Sequence, residues 1–211
     1  RDDVESRGLG DVYKRQAQYA AGKVTIGFSN PYVATYSAEG GTIKFATPTI
    51  LARGVSVQIE PESSDDNNFY ADNQLAETDS GRFTGGTTTL TVDGLFIAAK
   101  KLIYGLPAAG EDGWTAFGDE QKTPYVSIGF IVKSRSNGND IYQPIIILKN
   151  KFQEASTSAE TQGEEIDWQT QELTASTMRS DNSTHDWKWE GKEFESEEEA
   201  VTDLKKKMGL S

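Results

Sequence analysis

Between Val24 and Lys149 the apolar positions come in short runs, cut by Gly, Pro, Asn and Asp, and the dominant spacing inside the runs is two. Val55, Val57 and Ile59 alternate with Ser56, Gln58 and Glu60, which predicts a strand with one buried face. Thr88, Leu90 and Val92 repeat the pattern. Tyr125 to Lys133 and Ile141 to Leu148 flank Ser136-Asn137-Gly138-Asn139. An Asn-Gly pair between two β-rich runs predicts a hairpin, because both turn residues must take positive φ and these two do so most readily. Pro144 cannot donate to a ladder, so its strand is expected at an edge or bulged there.

The period changes twice. Leu95, Phe96, Ala99, Leu102 and Ile103 fall on one face at helical spacing, with Asp93 placed to cap the start and Gly105 to close the end. Ser196-Glu197-Glu198-Glu199 has the form of a capping box, and Ala200, Val201, Leu204 and Met208 follow on one stripe. Acids in the first turn, Lys205 to Lys207 in the last and Gly209 beyond them all favour a helix there. The expected chain is mainly β, with one packed helix and a C-terminal helix.

Two stretches read as loops. Glu60 to Ser80 holds seven acids (Glu60, Glu62, Asp65, Asp66, Asp72, Glu77, Asp79) and no Lys or Arg. A segment of this length without elements of its own binds something or is disordered. Its apolar pair, Phe69-Tyr70, sits where an anchor for a partner would be. Glu154 to Glu165, rich in Ser, Thr, Glu and Gln, is the second. No internal repeat is visible.

Residues 1 to 16 (RDDVESRGLGDVYKRQ) have no apolar period and join abruptly to Ala17. They resemble translated adapter sequence and are expected to be non-native, leaving 17–190 as the β domain and 191–211 as a C-terminal extension with the helix. The net charge of −12 over 211 residues does not depend on them, because their four acids balance their four bases. An acidic domain repels phosphate at long range, which argues against sequence-reading nucleic-acid binding. It does not argue against a passage through which DNA slides. The longest apolar runs, Leu95 to Ala99 and Ile145 to Leu148, fall far short of the roughly 18 residues of a membrane helix.

Candidate chemistry is sparse. The chain has no Cys and one His, which removes thiolate catalysis and Cys-based metal sites. Ser183, His185 and Asp186 are too close in sequence to read as a triad, which needs its members brought together in defined roles. Trp187 and Trp189 alternate with Lys188 and could form a stacking platform, but two indoles on a strand edge more often pack. Asp65, Asp66 and Asp72 could offer oxygens to calcium, though their spacing fits no EF-hand. No phosphate-cradling glycine loop is present. The chain is expected to be neither an enzyme nor a cofactor protein.

Phe69-Tyr70-Ala71-Asp72-Asn73, then Gly81-Arg82-Phe83-Thr84-Gly85, a Thr-rich strand and the 95–104 helix follow one another in an order that resembles the major tail proteins of long-tailed phages and prophages of Gram-positive bacteria. The resemblance extends upstream through Lys23 to Phe28 and Tyr32-Val33-Ala34, and downstream through Tyr125-Val126-Ser127-Ile128-Gly129-Phe130. It implies a β-sandwich or barrel subunit that forms a ring, hexameric in that family, and stacks into a tail tube through which DNA passes without specific binding. It further implies tape-measure and tail terminator proteins as partners, and residence in the virion tail after assembly in the host cytoplasm. Phe69, Tyr70, Asp72 and Asn73 are the expected inter-subunit residues. The rival readings are another virion or secretion-tube ring component, and a calcium-dependent carbohydrate-binding β-sandwich using Trp187 and Trp189.

Overall fold

The computed structural model describes residues 22–119, 121–157, 159–161 and 168–210. Residues 1–16 and part of the Glu154–Glu165 stretch lie outside them. The elements are β1 (Val24–Glu39), β2 (Thr42–Ile50), β3 (Gly54–Ser63), β4 (Asn67–Ala71), β5 (Gln74–Asp79), β6 (Phe83–Val92), α1 (Ile97–Tyr104), β7 (Val126–Ser136), β8 (Asn139–Phe152), β9 (Gln171–Met178), β10 (Lys188–Glu190) and α2 (Glu197–Met208). The chain is mainly β, as the alternation predicts, and of sandwich type. Its main sheet runs β2-β1-β7-β8-β9-β6-β3 and β10 adds to β8, while β4 and β5 form a separate two-stranded ribbon.

The longest runs of buried residues explain why the middle of the sheet reads as continuous apolar sequence. On β7 and β8, Ile128, Phe130, Ile145 and Ile147 face one core, and Ile131, Ile146 and Leu148 face another. Strands buried on both faces cannot show the apolar–polar alternation of half-buried ones. The first core is closed by Leu90, Val92, Leu173 and Ala175 from β6 and β9 and by Ala99, Ile103 and Tyr104 from α1. The second is covered by Ala200, Leu204 and Met208 from α2.

β8 serves two neighbours on one side: β10 pairs with Ile145–Ile147 and β9 with Lys149–Phe152. β3, at one end of the strand order, also lies against β1. A Cβ on Gly54 would lie 2.1 Å from the Phe28 ring, so only glycine fits there, and Phe28 in turn meets Phe130 edge to face with centroids 5.4 Å apart. Gly129 plays the same part under α2, where a Cβ would lie 2.3 Å from Met208 Sδ.

Two expectations about helix starts change. Asp93 does not cap α1; its carboxylate takes the Arg53 backbone N–H at 3.0 Å and pairs with the Arg53 guanidinium, because Arg53 sits across the ladder end from it. Phe96 is the N-cap residue and is exposed rather than on the buried face. Ser196 does cap α2 by position, but its side chain makes no cap bond. Both helices end as expected, on Gly105 and Gly209 in left-handed conformation.

The Asn137-Gly138 turn takes positive φ at both residues and joins β7 to β8 with Ser136 opposite Asn139. Pro144 is not at an edge: β7 lies on one side of it and the chain after β10 on the other. The ladder is instead bulged there. Glu190 opposes Ile145 and Phe194 opposes Tyr142, so the outer chain carries one residue more than β8 across Pro144. Gly191 N–H donates to the Pro144 carbonyl at 2.8 Å, and nothing there needs the N–H that proline lacks.

A buried polar chain fixes the register of four strands. Thr88 and Thr177 join hydroxyls at 2.7 Å, Thr177 donates to Asn150 Oδ1 at 2.9 Å, and Asn150 Nδ2 donates to the carbonyls of Val126 and Ile147. A one-residue slip of β6, β8 or β9 would leave these groups unpaired in the core. No helix among the described residues is long and apolar enough to cross a membrane.

Candidate functional site

The acidic stretch Glu60–Ser80 is a hairpin arm and not the expected loop. β3 and β6 pair up to Ser63 and Phe83, and the same two chain directions continue as β4 and β5. The turn is Asp72-Asn73, both at positive φ (52° and 61°), joining Ala71 to Gln74. Two residues of this type at positive φ form the primed turn that suits two-residue hairpins. The sequence signal was present in Asp-Asn, but the run of acids masked the β pattern around it. Asp72 and Asn73 therefore have a definite structural role as turn formers.

The base of the arm is held by side chains that replace ladder bonds. Ser64 N–H donates to the Arg82 carbonyl at 2.9 Å, Arg82 N–H returns a bond to Ser64 Oγ at 3.0 Å, and Gly81 N–H donates to Asp66 Oδ1 at 2.8 Å. Gly81 has no alternative, since a Cβ would lie 1.8 Å from the Ser64 carbonyl oxygen. Just inside the base, Phe83 stacks on Trp187 with centroids 4.6 Å apart and planes within 12°. That stack ties the root of the arm to the body.

Beyond the base every residue of β4 and β5 is exposed. Phe69 is 62% exposed, Tyr70 63% and Leu75 55%. Tyr70 stands directly opposite Leu75 and Phe69 opposite Glu77, with a bulge between the two pairs. Cross-strand partners share a face and sequence neighbours alternate, so Tyr70 and Leu75 form one apolar face and Phe69 projects from the other. Leu75 was missed from sequence; pairing it with Tyr70 required the Asp72-Asn73 turn. The arm can bury apolar surface only against something outside its own hairpin.

The other sequence candidates resolve into packing. His185, at positive φ, has its Nδ1 3.2 Å from the Ser180 carbonyl. Asp186 accepts from Trp189 Nε1 at 3.0 Å and from Asn182 Nδ2 at 2.9 Å, and these bonds, with one from Thr184, hold its carboxyl below the ordinary value. No hydrogen bond links Ser183, His185 and Asp186 as a triad would. Trp187 packs on the first core and Trp189 on the second, edge-on to Phe45 at 6.1 Å. Asp66 is engaged at the arm base, and among the described residues no three His, Asp or Glu side chains converge as a metal site.

Compared with known proteins, the chain matches no family model and no curated sequence.

Proposed function

We propose that the chain is a structural subunit, the major tail tube protein of a long-tailed phage or prophage, which closes into rings that stack into a conduit for DNA. The observation that carries this reading is the arm: a two-stranded projection with Phe69, Tyr70 and Leu75 exposed and seven acids along its segment. Large exposed apolar groups on an ordered projection mark an interaction site. An interface that covers them with a different surface of the next copy is heterologous and closes into a ring or propagates into a filament.

The acidity of the chain fits a wall that a polyanion must pass without sticking. By the same resemblance the ring is six-membered, the assembled location is the virion tail, and the tape-measure and tail terminator proteins are its partners. In this reading Phe69 and Tyr70 make the inter-subunit contact while Asp72 and Asn73 shape the turn that presents them. The glycan-binding alternative loses its platform, because Trp187 gives one ring face to Phe83 and Trp189 points its N–H at Asp186.

Negative-stain microscopy and light scattering of the purified chain test the proposal. Rings or tubes are the expected result. A monodisperse monomer across the accessible concentration range would overturn it.

A further inference from the structure

Large apolar side chains stand uncovered away from the arm as well. One such place is the start of α1, where Phe96 is 63% exposed and Ile97 69%. Lys100 follows Phe96 by four residues and Ile97 by three, so it shares their side of the helix. Its ammonium lies 5.4 Å from the centre of the Phe117 ring, which is 47% exposed and extends the patch beyond the helix. Lys101 completes it.

The charge of α1 itself is opposite to that of the arm, while Glu154 lines the hollow beside Lys100 and Phe117. α1 carries Lys100 and Lys101 and no acid. Neither lysine pairs with a carboxylate among the described residues, whereas Lys23, Lys44, Arg53, Lys133, Arg135, Lys149 and Lys188 all do. Near α2, Lys192, Lys205 and Lys207 lie over Phe194, Tyr32 and Trp189 as Lys100 lies over Phe117. Phe96 and Ile97 have no such cover.

We infer that the arm of one copy docks on the α1 patch of a second copy through its Phe69 face, with Phe69 against Phe96, Ile97 and Phe117, and with Glu77 and Asp79, which share that face, facing Lys100 and Lys101. This rests on the tube-subunit reading and adds where the arm lands. Apolar faces at the centre supply affinity, while the surrounding opposite charges set orientation and approach. Because arm and patch are different surfaces, each copy offers one of each, and association runs head to tail.

Cross-linking tests the placement directly, since the chain has no cysteine and hence no background. Asn67→Cys, on the Phe69 face, and Ile97→Cys are made as separate variants and mixed under mild oxidation. A disulfide-linked dimer that needs both variants is the expected product. Self-linking of Ile97→Cys or of Asn67→Cys in place of the mixed product would overturn the inference in favour of a symmetric contact.

Charge exchange gives the second readout. Lys100→Glu/Lys101→Glu and Glu77→Lys/Asp79→Lys should each weaken association by about tenfold or more, and the combined variant should restore it. The combined variant carries every substitution, so rescue also excludes misfolding as the cause of the losses. Native tubes that form normally in both double variants, with no mixed disulfide, overturn the docking and leave the tube reading standing. A native chain that never associates overturns both. Binding to anionic lipid vesicles that is lost with Lys100→Glu/Lys101→Glu, again without a mixed disulfide, overturns the docking and assigns the patch to a membrane surface.

Discussion

Tyr36 and Asp181 hold each other by two hydrogen bonds that run in opposite directions. The phenol donates to Asp181 Oδ2 at 3.0 Å and accepts the Asp181 backbone N–H at 2.9 Å. Lys149 Nζ closes the group, 2.9 Å from the same Oδ2 and 4.7 Å from the centre of the Tyr125 ring. Burial pushes the Tyr36 pKa up, which keeps the donor protonated. Through these few atoms the loop after β9 is fastened to β1 and β8.

Tyr36→Phe removes the hydroxyl and leaves the Asp181 N–H without its acceptor. The expected loss is about 0.5–1.5 kcal/mol, the net contribution of an ordinary hydrogen bond, because Asp181 is itself exposed and water can reach its N–H. For a chain of this size each kcal/mol corresponds to a Tm decrease of roughly 2–4 °C. Urea unfolding of the variant measures it, and an unchanged midpoint would show that water takes the place of the phenol.

Stability should fall modestly in acid, because the carboxylates concerned are paired at the surface. The Arg135 side chain, then Lys133, hold the Asp140 carboxyl at about 2 from an ordinary 3.8. Asp93 is lowered by Arg53, and Asp181 by Lys149. A carboxyl with a depressed folded value takes up its proton in the unfolded chain first, so the unfolded state binds more protons between the two values and gains ground as pH drops. The stabilisation is complete above 3.8 and disappears as pH falls toward about 2. Urea midpoints measured from pH 6 to pH 2 should hold nearly level and then drop, and Asp140→Asn should make the drop shallower.

Gly129→Ala should loosen α2. The added Cβ would meet Met208 Sδ at 2.3 Å and Leu204 Cδ1 at 2.9 Å, and overpacking of this kind costs about 1–3 kcal/mol. Met208→Ala alone should also destabilise by opening a cavity. In the double variant the two costs should not add, because the methyl enters space the thioether has left. Additive losses in a double-mutant cycle would show that α2 shifts as a body instead.

Phe69→Ala/Tyr70→Ala should leave the monomer as stable as the native chain, within about 0.5 kcal/mol, because both rings are exposed in it. Assembly should be lost, as desolvated aromatics at an interface centre are worth about 2 kcal/mol or more each. Melting of the dilute monomer and microscopy of the concentrated protein separate the two effects. A destabilised monomer would place the pair in the fold instead of the interface.

Leu75 and Glu77 show why the candidate site was only half legible. Phe69-Tyr70 stands out in the sequence as an apolar pair among acids, but its cross-strand neighbours depend on a bulge that no periodicity reveals. Phe83 and Trp187 are far apart in sequence, and their stack at the arm root could not be paired from spacing.

The sequence by itself determined whatever local rules control. Alternation at Thr88, Leu90 and Val92 sets which side of β6 is buried, Asn137-Gly138 sets the β7–β8 turn, and the stripe Ala200, Leu204, Met208 with Gly209 sets the length and face of α2. These features rest on steric and hydrogen-bonding preferences of residues a few positions apart. Only the tertiary structure decided what lies across the sheet: Gly54 under Phe28, Gly129 under Met208, Asp93 turned from a helix cap to Arg53, and the ladder bulged at Pro144. Each depends on which distant segment arrives as a neighbour, and that choice is made by packing the whole apolar surface at once.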